Sequence, residues 1–264
     1  MALLAWATGN SMGGFASSVV SYTPGTGAPS GFNDPAAALG MPAPVVGAGS
    51  GYPNVLDPFS PAFGSTEIVA IGTGGQLTLQ LDKPITVANA PQLGVISNVG
   101  LIDADYPNGL ADSSADTFGG GSALVRVSSD GSTWASLGNV NFNLPATYFS
   151  KLAGPYETAP GPGDVPADLS KPFTGSIADF AGEDFQQALG TLDGSVGGTW
   201  LNLSGTNLAT VDYVQFQVPS GYLPIDAITT SAGGASTPEP GSAAFVALAA
   251  MGLLLARTRE SCIL

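Results

Sequence analysis

The stretch DADYPNGLADSSAD brings Asp103, Asp105, Asn108, Asp112 and Asp116 close together in sequence. Closely spaced oxygen ligands on a turn-rich segment suit Ca²⁺, a hard cation that takes six to eight oxygens. Asp103 and Asp105 match the first two ligand positions of an EF-hand loop. Gly109 then arrives one position late and Ser114 stands where the closing Glu belongs, so the EF-hand is excluded. What remains is a candidate structural Ca²⁺ site of another kind, drawing on Asp34 or Asp226, set against a plain solvated acidic loop.

Catalytic chemistry has less to work with. The chain contains no His, which removes Ser-His-Asp and Cys-His nucleophiles and the usual zinc ligand sets. Its single Cys, Cys262, forbids an intramolecular disulfide and lies one residue short of a prenylation box. Glu183 and Asp184 are adjacent carboxylates, but neighbours in sequence do not converge on one substrate atom if they lie in a strand, and no motif singles them out. The expectation is a non-enzyme. Sugar binding needs aromatic platforms beside polar groups, for which Trp134, Trp200, Tyr106, Tyr148 and Tyr222 are the candidates. The tryptophans are expected to pack inward. Tyr106, between Asp105 and Pro107, is expected to be exposed.

The elements that must position these residues read as strands. "GGQLTLQL" alternates Leu77, Leu79 and Leu81 with Thr78 and Gln80, the mark of a strand with one buried face. "ALVRVSSDGSTWASLG" is two such runs around Asp130-Gly131, a hairpin dipeptide. "TWLNLSG" sets Leu201 and Leu203 on one face, "DYVQFQV" alternates Val214, Phe216 and Val218 with Gln215 and Gln217, and "LPIDAITT" reads as one short strand. Only "SIADFAGEDFQQALG" predicts a helix, weakened by Gly182. With Gly at 37 and Pro at 21 residues, short strands joined by turn-rich connections predict an all-β fold, a single β-sandwich over residues 18–232. The net charge of −14 and only six Lys and Arg exclude nucleic-acid binding, which needs a basic face. The acidity itself reads as solubility.

The two ends carry a different message. Residues 1–17 read as a weak or truncated signal peptide, with Gly14 and Ala16 as small residues before a cut at Ser17. At the other end a Gly/Ser/Thr linker leads to Pro238-Glu239-Pro240, an uncharged apolar run at 241–256, then Arg257 and Arg259. As a helix the run spans about 24 Å, short of the ~30 Å hydrocarbon core. It is apolar all round, and arginines after such a helix hold that end in the cytoplasm. Membrane insertion is preferred over a buried core helix.

Residues 233–264 resemble the PEP-CTERM sorting signal of Gram-negative bacteria. The resemblance implies an exosortase-type processing enzyme as partner, recognition at Pro238, Glu239 and Pro240, temporary hold in the inner membrane through 241–256, and orientation by Arg257 and Arg259. Delivery to the cell surface or extracellular matrix would follow. In the body, the order "SYTPGTGAPSGFNDPAAALGMP", "GTGGQLTLQLDKPI", "VSSDGSTW", "GEDF" and "VDYVQFQV" with "LPIDAI" resembles exported surface proteins with galactose-binding or discoidin-type jelly rolls. It departs from them at "PQLGVISNVGLIDADYPNG". The expectation is an exported, non-catalytic surface or matrix protein. The alternative is a carbohydrate-binding module for extracellular polysaccharide.

Overall fold

The computed structural model describes residues 13–231. Residues 1–12 and 232–264, where most of the expected leader and the whole expected sorting tail fall, lie outside them. Strands make up 41% and helical turns 10%, so the fold is all-β. In chain order the strands begin with β1 (Ala16–Thr23), β2 (Val45–Val46), β3 (Asn54–Val55), β4 (Val69–Gly72) and β5 (Gln76–Thr86). Next come β6 (Pro91–Ile96), β7 (Gly100–Leu101), β8 (Thr117–Phe118), β9 (Gly121–Ser128), β10 (Ala135–Phe142), β11 (Phe149–Lys151) and β12 (Val165–Pro166). The helix α1 (Phe185–Thr191) precedes β13 (Thr199–Asn202), β14 (Thr210–Gln217), β15 (Tyr222–Ile225) and β16 (Ala227–Thr230).

Alternation fixes the largest sheet, whose order is β1-β5-β14-β9-β10. Its pairings are all antiparallel. Leu77, Leu79, Val125, Val127, Val214 and Phe216 point to one face and are fully buried. They share a single hydrophobic cluster with Leu93 and Val95 of β6, Leu201 of β13, Ile228 of β16, and Ile71 and Ile225 of the β4–β15 pair. Phe142 meets Phe216 edge-on at 6.0 Å.

The opposite face of that sheet is a set of mostly polar cross-strand rows. Thr23, Gln76, Gln217, Leu124 and Asn139 stand in register, as do Ser21, Thr78, Gln215, Arg126 and Ser136. Amide side chains bond along the rows, with Gln217 donating to Gln76 at 2.7 Å and Gln215 to Thr78 at 3.1 Å. Cross-strand partners of this kind stabilise a sheet.

The second sheet has the order β13-β6-β16. Gly94 of β6 lies in register between Trp200 and Thr229. A Cβ there would stand 2.8 Å from the Trp200 ring and 2.7 Å from the Thr229 methyl, so glycine is what lets the indole lie across the strand. The indole nitrogen donates to the Gly197 carbonyl at 2.9 Å. Trp200 is thereby a packing residue.

Four expectations change in detail. "LPIDAITT" forms two strands, because the chain crosses at Asp226 from the β4 edge to the β6 edge. The predicted helix is split into a 3₁₀ turn, Ile177–Phe180, and α1, because Gly182 takes a left-handed conformation (φ +69°) and Asp184 starts a new helix by capping Gln187. The Asp130-Gly131 dipeptide sits in a longer loop, where the Asp130 carboxylate accepts from the amides of Ser132 and Thr133 at 2.8 Å. Finally, the folded unit reaches back past the expected leader boundary. Phe15 bridges Thr229, Ala16 is buried, and the Gly14 amide donates to Thr230 Oγ1 at 2.7 Å. A cut before Ser17 would strip these contacts from the sheet. Among the described residues no helix is long and apolar enough to cross a membrane.

Candidate functional site

The acidic stretch 103–116 folds as two consecutive turns, each built on one carboxylate. Asp103 Oδ1 accepts from the amides of Asp105 (2.9 Å) and Leu110 (3.0 Å). Its Oδ2 accepts from the Gly109 amide (3.0 Å) and the Tyr156 hydroxyl (2.9 Å). Burial works to raise this carboxyl, but the bonds from Leu110, Asp105, Tyr156 and Gly109 outweigh it and hold it below the ordinary carboxylate value. Asp112 Oδ1 accepts from the amides of Ser114 and Asp116 at 2.9 Å each.

The structure therefore brings Asp103, Asp105 and Asn108 together and places Asp112 and Asp116 in the neighbouring turn. Asn108 Nδ2 donates to Asp105 Oδ2 at 3.2 Å. Among the described residues no three His, Cys, Asp or Glu side chains form a group able to hold a metal ion. Both Asp103 oxygens already accept two hydrogen bonds each, whereas the two amides on Asp112 use Oδ1 alone. Asp34 caps the 3₁₀ turn Pro35–Ala38 by accepting from the Ala36 amide. Asp226 is fully buried at the strand crossing, and its Oδ2 has no hydrogen-bond partner among the described residues. Glu183 takes a bond from the Thr191 hydroxyl at 2.8 Å while Asp184 caps α1, so this pair is divided between two structural tasks.

Tyr106 stands at the tip of the first turn, which closes through the Asn108 amide to the Asp105 carbonyl at 2.7 Å. It is 74% exposed. Its ring meets Tyr156 edge-on, with centroids 5.1 Å apart and planes at 62°. Tyr156 is fixed in turn: its hydroxyl is on Asp103, its amide donates to Asp57 Oδ2 at 3.3 Å, and the next carbonyl, Glu157, accepts from the Val55 amide. Burial first, then the bond to and charge of Asp103, raise the Tyr156 phenol well above its ordinary value. Asp57 is buried, accepts also from the amides of Phe59 (2.7 Å) and Ser60 (2.9 Å), and is pushed up to about 7 by burial against those bonds.

Of the other aromatic candidates, Tyr222 is 39% exposed. Trp134, Trp200 and Tyr148 are half-buried, and Tyr148 packs on Phe149 at 5.1 Å between ring centroids. Tyr156 and Asp57 are the residues that sequence reasoning missed. Asp57 had a local signal, since "DPFS" is an Asp-initiated turn. Tyr156 had none: it lies in a Gly/Pro-rich connection, 53 residues from the carboxylate it binds.

An open groove of ≈ 340 Å³ is lined by residues including Lys171, Phe173, Asp179, Thr191 and Asp193. Its cation is already engaged, because Lys171 Nζ is paired with the Asp193 carboxylate at 2.7 Å and also bonds the Asp193 carbonyl. No family model matches the chain, and no curated protein matches it.

Proposed function

We propose that this chain is an exported, non-catalytic protein of the cell surface or extracellular matrix. Its body is a single β-sandwich of jelly-roll type, and residues 233–264 are a PEP-CTERM-like sorting tail. The observation that carries the reading is the ordered tail: Pro238-Glu239-Pro240, the uncharged run 241–256, then Arg257 and Arg259. Prolines stiffen an extended segment at the membrane surface, the apolar run holds the precursor, and the arginines keep the end inside. An exosortase-type enzyme then removes the tail. The shared core of the five-stranded sheet and the strands facing it supports the sandwich.

Mass spectrometry of the surface-located protein in its native host tests this reading. Loss of every peptide beyond the Pro-Glu-Pro segment is expected. Peptides from 259–264 still joined to the surface chain would refute processing. Alanine at positions 238, 239 and 240 should leave the precursor in the membrane while sorting stops.

A second reading, a carbohydrate-binding module for extracellular polysaccharide, is favoured by one observation. The Tyr106 ring is held out in solvent by a turn whose every anchor is fixed.

A further inference from the structure

We infer that Tyr106, Asp105 and Asn108 form a binding site for a neutral pyranose chain, with Tyr106 as the stacking platform; the inference rests on the carbohydrate-binding reading. The turn places a large aromatic side chain in solvent at 74% exposure, and the ring is braced on one side. It leans on Tyr156, which is itself held by Asp103, Asp57 and the Val55 strand. A ring that is exposed and already braced has less freedom to lose when a ligand lands on it.

The polar groups beside it match a sugar. Asp105 and Asn108 flank Tyr106 on the same four-residue turn, and both are exposed. Their mutual bond uses one carboxylate oxygen and one amide hydrogen. The second Asp105 oxygen, the second Asn108 amide hydrogen and the Asn108 carbonyl have no partner among the described residues. Two acceptors and a donor within one turn suit vicinal hydroxyls, each of which both donates and accepts. The C–H face of a pyranose carries slight positive charge and lies on the electron-rich face of an aromatic ring. Segment 103–116 contains four Asp and no Lys or Arg, so uronate polymers are repelled and an uncharged chain is selected.

The full-length protein, as wild type and as Tyr106→Ala, is run through native gels cast with hydroxyethylcellulose, galactomannan or polygalacturonate. Wild type should be retarded by at least one neutral polymer and not by polygalacturonate. Tyr106→Ala should bind about tenfold more weakly, with an unchanged melting curve because the side chain is exposed. Tyr106→Phe should bind as wild type, since the ring does the stacking. If Tyr106→Ala is retarded as strongly as wild type, the site is wrong while the carbohydrate reading stands. If only polygalacturonate retards the wild type, the neutral-chain site falls while the carbohydrate reading stands; if no polymer retards it, both fall.

Discussion

In the five-stranded sheet, Leu77, Leu79, Val214 and Phe216 alternate with Gln76, Thr78, Gln215 and Gln217, and the backbone bonds run in ladders. Around Phe180 the chain buries Val55, Phe59, Leu101, Phe149, Phe173 and Phe185, drawn from scattered short strands, loops and one helix. Both regions bury apolar side chains. They differ in what satisfies the backbone. The ladder does so in the sheet, whereas in the second region carboxylates do much of the work. Asp57 accepts from three amides, Asp103 from three and Asp112 from two. Glu67 follows the same pattern, taking the amides of Gly47, Phe63 and Gly64. Buried backbone N–H groups must find acceptors, and where a loop has no neighbouring strand a side chain supplies one. Much of the acidity that reads as solubility in the composition is thus internal wiring.

The comparison breaks most visibly at Phe216. Phe216→Ala should cost about 3–5 kcal/mol, because the ring is fully buried and packs edge-on against Phe142 of the same sheet. Chemical denaturation should show one cooperative transition at lower midpoint; a loss below about 1 kcal/mol would mean that the sheet core is not what holds the fold.

The next effect is a pH dependence that belongs to carboxyls without a cation. Asp57 is pushed up to about 7 from 3.8, mainly by burial. Asp226 is raised well above 3.8 by complete burial and then by the charge of Glu67. In the unfolded chain both release their protons near 3.8, while the folded protein keeps them. Stability is therefore full below pH 3.8 as far as these two groups are concerned, and declines as pH rises through the folded values. For Asp57 that window closes near pH 7, and each carboxyl contributes a slope of up to about 1.4 kcal/mol per pH unit. Denaturant midpoints between pH 4 and 8 check it, and Asp226→Asn should flatten the profile. An equal slope in that variant would show that Asp226 is not the group involved.

The smallest effect is local. Asp103→Ala removes the acceptor for three amides and the Tyr156 hydroxyl, at a cost of about 1–3 kcal/mol. Hydrogen exchange should quicken at Asp105, Gly109 and Leu110 and stay unchanged in the five-stranded sheet. Faster exchange throughout the sheet would erase the distinction between the two regions.

The same distinction governs what the sequence discloses. Leu77, Leu79 and Leu81, or Val214, Phe216 and Val218, announce their face by a period of two, so the sheet strands and their buried sides are legible. The split at Asp226 is not, because β15 and β16 look alike locally and only their partners, β4 and β6, differ. In the candidate site, Asp105, Tyr106 and Asn108 are visible as an exposed turn. Tyr156 and Asp57 are not, since the contacts that recruit them come from distant, aperiodic segments. Asp103 and Asp112 read as carboxylates in search of a partner, but their spacing does not disclose that the loop's own amides bond to them.

Lys171 and Asp193 form the one ion pair among the described residues, and their side chains are 42% and 86% exposed. Surface pairs of that kind add little stability and are what dissolved salt weakens first. A carboxylate bonded at about 3 Å to amides of its own turn offers no such handle. Added salt meets mainly the mutual repulsion of the surplus negative charges, which it screens. Passage from fresh water to brine should leave this fold standing, with slightly less self-repulsion than before.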